Sequence, residues 1–148
     1  MPYEKRTTKS INSHKITVAL SDKTDLVPIV FVKSNSGMTT ILPWDGMKFN
    51  DTVDIVTLTT DYLIEKFGIP EPQVINIDAD GSELNIFNEA HNLLNRSHLH
   101  TIIFEVRNDF LVIPSKLKAL LTDSGFTFSI LTRKENSTHN LSNFLASR

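Results

Sequence analysis

The chain has 148 residues, 40% of them hydrophobic and 22% charged, which suits one globular domain with a sizeable core and excludes a disordered chain. Its formal net charge of -2 and pI near 6.2 give no electrostatic reason to expect nucleic acid or an anionic membrane as a partner. It has no cysteine, so disulfides and thiolate metal sites are excluded. No apolar run approaches the roughly 18 residues needed to span a bilayer. Residues 1–12 are polar and carry no apolar signal-peptide core, so the protein is expected to be soluble and cytoplasmic. Lys5, Arg6 and Lys9 read as a solvated basic face rather than a binding tail.

In chain order, residues 3–14 are polar with scattered apolar positions and read as a helix end. Residues 15–20 (KITVAL) form a β-branched run closed by Ser21-Asp22-Lys23, a strand followed by a turn. Residues 26–33 (LVPIVFVK) are again strand-like, and Pro28 places that strand at an edge or Pro28 at its start. Ser34-Asn35-Ser36-Gly37 reads as a turn before a strand at 38–42, with a loop over 43–50 and a strand over 53–58. A helix over 60–67 has Thr59 or Thr60 to cap it and Gly68 at its C′ position.

The next strand, 74–77, runs into the acidic turn Asp78-Ala79-Asp80-Gly81, and a helix over about 82–95 follows. Strands at 101–106 and 126–131, a helix at 115–124 and a final strand at 143–146 complete the chain. The alternation of strand and helix predicts an α/β domain with a largely parallel, helix-covered sheet. Ligands in such sheets bind beyond the carboxyl ends of the strands, where the acidic turn lies.

That turn has three readings. As a calcium loop it starts well (N-x-D-x-D-G), but Glu83 stands where an apolar residue belongs and Phe87 where a bidentate glutamate belongs. As a helix start, Asp80 or Ser82 supplies a cap and Glu83 a favourable first-turn charge. As a ligand site, Asp78 and Asp80 offer hydrogen-bond acceptors or a general base for a hydroxyl.

Ile77-Asp78-Ala79-Asp80-Gly81-Ser82-Glu83 resembles the I-D-V-E-G-x-E pattern of the FkbM family of S-adenosylmethionine-dependent methyltransferases. Further likenesses follow the same order along the chain. Ala19-Leu20-Ser21-Asp22 resembles the A-L-S-D after the family's third strand, and Asn35-Ser36-Gly37-Met38-Thr39-Thr40 its N-x-G-x-S-T turn. Thr57-Leu58-Thr59-Thr60-Asp61-Tyr62-Leu63 resembles the segment opening the helix before the motif at 77–83, and Ile103-Phe104-Glu105-Val106 the fifth strand. LTDSGF at 121–126 and Asn143-Phe144-Leu145-Ala146 resemble the last helix end and the final strand.

The resemblance implies a Rossmann-like methyltransferase sheet with helices on both faces, incomplete at its N-terminal side. The 148 residues would form a single partial domain from the third strand onward, an N-terminally truncated fragment. It implies methyl transfer from S-adenosylmethionine to a hydroxyl of a sugar or natural product, so the expected partner is a small-molecule or glycan acceptor. Ser21 and Asp22 would lie near the adenine, Asp78 and Asp80 at the sulfonium and catalytic end, and Glu83 and Glu105 toward the substrate. Asn76 and Asp80 stand where the family often has lysine and glutamate, and residues 1–14 contain no glycine for the family's Gly-rich turn. The chain alone is therefore expected to bind S-adenosylmethionine weakly. The strand at 74–77 is expected to be an open edge, able to support a homo-oligomer or a non-catalytic assembly module.

Outside these motifs, His98 and His100 read as solvent-facing loop residues, His91 as packing, and Trp44 as a loop aromatic. No serine has the G-x-S-x-G context of a hydrolase.

Overall fold

The computed structural model describes residues 15–32, 35–41, 51–79, 81–107, 115–134 and 141–148. The expectations for residues 3–14 and 43–50, Trp44 and Asp80 lie outside them. The fold is mixed α/β, with two four-stranded sheets and short helices.

The first sheet contains β1 (Ala19–Leu20), β2 (Asp25–Val32), β3 (Asn35–Thr40) and β4 (Asp51–Leu58), in the order β1-β4-β2-β3. Only β1 and β4 run parallel; β2 is antiparallel to both β4 and β3. Of the strand expected over 15–20, only the last two residues join the ladder, and the Ser21 N–H extends it to the Leu58 carbonyl at 3.0 Å. β2 is interior by order, yet its pairing with β3 begins at Val30. Among the described residues, Pro28 has only β4 beside it, so a residue without an N–H is tolerated there. The turn expected at 34–37 is displaced, because β3 already begins at Asn35, opposite Val32.

α1 (Thr60–Phe67) starts and stops where its sequence says. The Thr59 hydroxyl accepts from the Tyr62 N–H at 3.2 Å, and Gly68 takes the left-handed conformation at φ 61°. The helix expected over 82–95 is instead two, α2 (Glu83–Asn88) and α3 (His91–Leu94). A reason lies in α1: Asp61 accepts from the Asn92 and Leu93 N–H groups at 2.9 and 3.0 Å. This distant carboxylate satisfies two of the donors that a new helix start exposes.

The second sheet contains β5 (Val74–Ile77), β6 (Thr101–Arg107), β7 (Thr127–Lys134) and β8 (Leu141–Ser147), in the order β5-β6-β8-β7. β5 and β6 are parallel, as a strand–helix–strand unit requires, while β8 is antiparallel to both its neighbours. The largely parallel single sheet expected from the alternation is thus replaced by two mixed sheets. Alternation holds only from β4 to β7; outside that stretch, the β2–β3 and β7–β8 pairs are antiparallel.

The core lies on one face of the second sheet. Ile102, Phe104 and Val106 of β6 alternate inward with Phe144 and Ala146 of β8, under Phe87, Leu93 and Leu94 of α2 and α3. α4 (Ser115–Asp123) adds Leu117 and Leu121, and α1 adds Ile64 at the margin. All the described helices feed this one cluster, so helices on both faces are not found among the described residues. Phe104, fully buried, stacks on Phe144 at 5.6 Å and meets Phe87 and Phe128 edge-on at 6.4 and 6.5 Å. Among the described residues, no helix is long and apolar enough to cross a membrane.

Phe104→Ala should therefore cost roughly 3–5 kcal/mol of stability, measured by urea denaturation. A loss below about 1 kcal/mol would show that the aromatic cluster is not the packing centre.

Candidate functional site

The carboxyl ends of the two parallel pairs meet. β1 ends at Leu20 and β5 at Ile77, and a cavity of about 180 Å³ is lined by Ala19 and Leu20 from one sheet and Asp78, Ala79 and Ser82 from beyond the other. Ile29, Thr39, Thr40, Ile41 and Ile86 complete its wall. Larger depressions occur elsewhere, one of about 670 Å³ beside Ile16 and Phe67 and one of about 420 Å³ between α1 and α3. Neither lies at a strand's carboxyl end, where open α/β sheets hold ligands.

The turn bearing Asp78 is built from within. Glu83 is 5% exposed, and its Oε1 accepts from the N–H groups of both Ala79 and Gly81 at 3.3 Å. Gly81 has φ +100°, a conformation L side chains rarely adopt. The Ser82 N–H closes the turn on the Ala79 carbonyl at 3.1 Å. Ser82 sits at the N-cap position without a side-chain cap bond, and Glu83 instead braces the turn that precedes the helix. Asp78, by contrast, is exposed at the cavity. A strand rather than a helix leads into the turn, so the calcium-loop geometry is not formed.

The other expected site residues are placed as follows. Ser21 is buried and its hydroxyl donates to the exposed Asp22 carboxylate at 3.1 Å; neither side chain lines the cavity. Their turn is pinned by Thr57, fully buried on β4, whose hydroxyl donates to the carbonyls of Lys23 and Asp25 at 2.9 and 3.3 Å. Lys23 and Asp25 form an exposed pair at 2.7 Å. Lys23's hydrogen bond, and then the Leu26 N–H, hold the Asp25 carboxyl below its ordinary range, while Asp25 raises the Lys23 ammonium. The pair's small, solvent-screened contribution is present above the ordinary carboxylate range and fades as pH falls through Asp25's lowered value.

Glu105 lies on the face of β6 away from the core, where its carboxylate accepts from the Asn143 Nδ2 at 3.4 Å, and it is not part of the cavity wall. The structure thus brings Asp78 to the ends of β1 and β3, with Glu83 behind it, and leaves Ser21, Asp22 and Glu105 outside the wall. Thr39 and Thr40, which line it, carried a family likeness but no assigned role. His91 is exposed rather than packed; His98 and His100 are exposed as expected. Among the described residues, no group of three or more His, Cys, Asp or Glu is placed to hold a metal.

Glu83→Ala should lower stability by about 1–3 kcal/mol, because two turn N–H groups lose their acceptor. Glu83→Gln, which keeps the accepting oxygen, should fall between the two. Hydrogen exchange at the Ala79 and Gly81 amides checks this directly; unchanged protection in Glu83→Ala would mean that Glu83 does not brace the turn.

Comparison with protein families matches the chain to the Methyltransferase FkbM domain over residues 2–128. The match takes in β1 to β6 and all the described helices, and ends before β8, so the likeness of residues 143–146 falls beyond it. No curated protein and no solved structure matches the chain. A match over most of its length places the protein plainly: it belongs to the FkbM methyltransferase domain family.

Proposed function

We propose that this chain serves S-adenosylmethionine-dependent methylation of a hydroxyl on a sugar or natural product, with the cavity beside Asp78 as its working end. The observation that carries the reading is the meeting of the β1 and β5 carboxyl ends at one cavity bearing an exposed carboxylate. S-adenosylmethionine supplies an electrophilic methyl on a sulfonium sulfur, which keeps the bonding electron pair as the methyl passes to oxygen. Asp78 orients the acceptor hydroxyl and takes its proton as the O–CH3 bond forms. Asp80 is assigned to the same catalytic role. Ser21 and Asp22 are assigned to the adenosine side, Asp22 through its exposed carboxylate. Glu83 acts through the turn it holds, and Glu105 is assigned to the acceptor side from the neighbouring strand. The two sheets are read as parts of a Rossmann-like methyltransferase domain covering residues 1–148 from the family's third strand onward.

Fit sets the strength of binding. The cavity of about 180 Å³ is smaller than the roughly 300–1,000 Å³ of small-molecule pockets, so the described residues hold one end of such a ligand without enclosing it. Calorimetry with S-adenosylmethionine at tens of micromolar should show no saturable heat. Amide NMR with millimolar S-adenosylhomocysteine should shift resonances at Ala19–Leu20, Asp78, Ala79 and Ser82, and Asp78→Asn should weaken that response. Shifts confined to other surfaces would overturn the assignment of this cavity.

A second reading, a non-catalytic assembly module, is favoured by one feature. Among the described residues β5 is a sheet edge with an uncharged sequence, and Val74 on it is 51% exposed. Under that reading the protein self-associates in light scattering at high concentration, and Val74→Lys returns it to monomer. A monomer at all concentrations would remove it.

A further inference from the structure

Arg148 follows β8, and its backbone N–H donates to the His100 carbonyl at 3.2 Å, in line with the end of the sheet. Its side chain turns to the helix layer. The Nε donates to the Leu99 carbonyl at 2.8 Å, Nη1 to the carbonyls of Leu94 and Ser124 at 2.8 and 2.7 Å, and Nη2 to the carbonyl of Arg96. The guanidinium carbon lies 4.5 Å from the centre of the Phe126 ring, itself 2% exposed.

Leu94 ends α3 and Ser124 follows α4, so two of these carbonyls come from helix carboxyl ends, where the dipole favours a cation. Arg96 and Leu99 add two more from the turn leading to β6, the Arg96 carbonyl also accepting from the Leu99 N–H at 3.2 Å. Gly125 adds room: a Cβ there would meet only the Arg148 Cδ, at 3.9 Å. A guanidinium presents several donors in a fixed planar fork, whereas an ammonium is a single point that cannot span acceptors on three segments.

We propose that this ring of carbonyls over Phe126 is a guanidinium-binding socket, filled in cis by Arg148, which latches the ends of α3 and α4 to the end of the second sheet. The socket lies at the Thr101 end of β6, opposite the end that carries Asp78. It is thus separate from the methyl-transfer reading and does not depend on it. Its ligand class is a monoalkylguanidinium, and removal of the Arg148 side chain beyond Cβ leaves a space shaped for ethylguanidinium.

The test compares thermal melting of the native protein, Arg148→Ala and Arg148→Lys, each with about 20 mM ethylguanidinium chloride or ethylammonium chloride. Arg148→Ala should melt about 6 °C or more below the native protein, and Arg148→Lys should stay close to Arg148→Ala. Ethylguanidinium should raise the midpoint of Arg148→Ala and leave the native protein unmoved, while ethylammonium moves neither. If Arg148→Ala does not fold unaided, refolding yield replaces the midpoint, with recovery expected in ethylguanidinium alone. Native-like melting of either variant, equal effects of the two salts, or no recovery in ethylguanidinium would each overturn the socket.

Discussion

Burial of one face of β6 is the constraint on which the rest of the molecule depends. Ile102, Phe104 and Val106 can leave water only if β5 and β8 flank the strand and the helices cover it. The parallel alignment of β5 with β6 then follows from the crossover through α2 and α3, and that crossover fixes where Asp78 emerges. The site is therefore a by-product of core packing on its β5 side. On that side it is backed by Phe87 and Phe104, packed edge-on in the core.

The other sheet is held differently. Leu26, Val53 and Val56 are 62, 54 and 50% exposed, so neither face of the β2–β4 pair is sealed by its own residues. Order near β1 rests on the buried Leu58 opposite Leu20 and on polar ties, chiefly the Thr57 hydroxyl to the carbonyls of Lys23 and Asp25. Few buried apolar contacts and exposed ladders mark a region that opens at lower free energy than the core. The cavity thus has one stiff wall and one compliant wall.

This division also explains what the sequence could and could not disclose. α1 was legible because its signals are local: Thr59 caps it, Ile64 faces inward and Gly68 closes it. The break between α2 and α3 was not, because the group that relieves it, Asp61, lies far back in the chain. Sheet order failed for a similar reason, since the strand–helix rhythm that predicts parallel pairing says nothing about hairpins at either end. At the candidate site, the strand-end rule pointed to the turn at Asp78, which lies beside the cavity. Periodicity could not show that Glu83 turns inward, because a charge next to a turn reads as solvated until its N–H partners are known. Family likeness named the fold's relatives without fixing which side chains reach the cavity.

The bonding of the turn bears on what the cavity can hold. Anion sites in α/β folds depend on free backbone N–H groups at a glycine-bearing turn and helix start. Here the turn has its glycine, but the Ala79 and Gly81 N–H groups are already engaged by the Glu83 carboxylate, and the Ser82 N–H by the Ala79 carbonyl. With those donors used internally, the turn does not offer them to an anion. What it presents outward is Asp78, a group that accepts hydrogen bonds and stabilises positive charge. An exposed carboxylate of that kind suits a hydrogen-bond donor or a cation better than an anion.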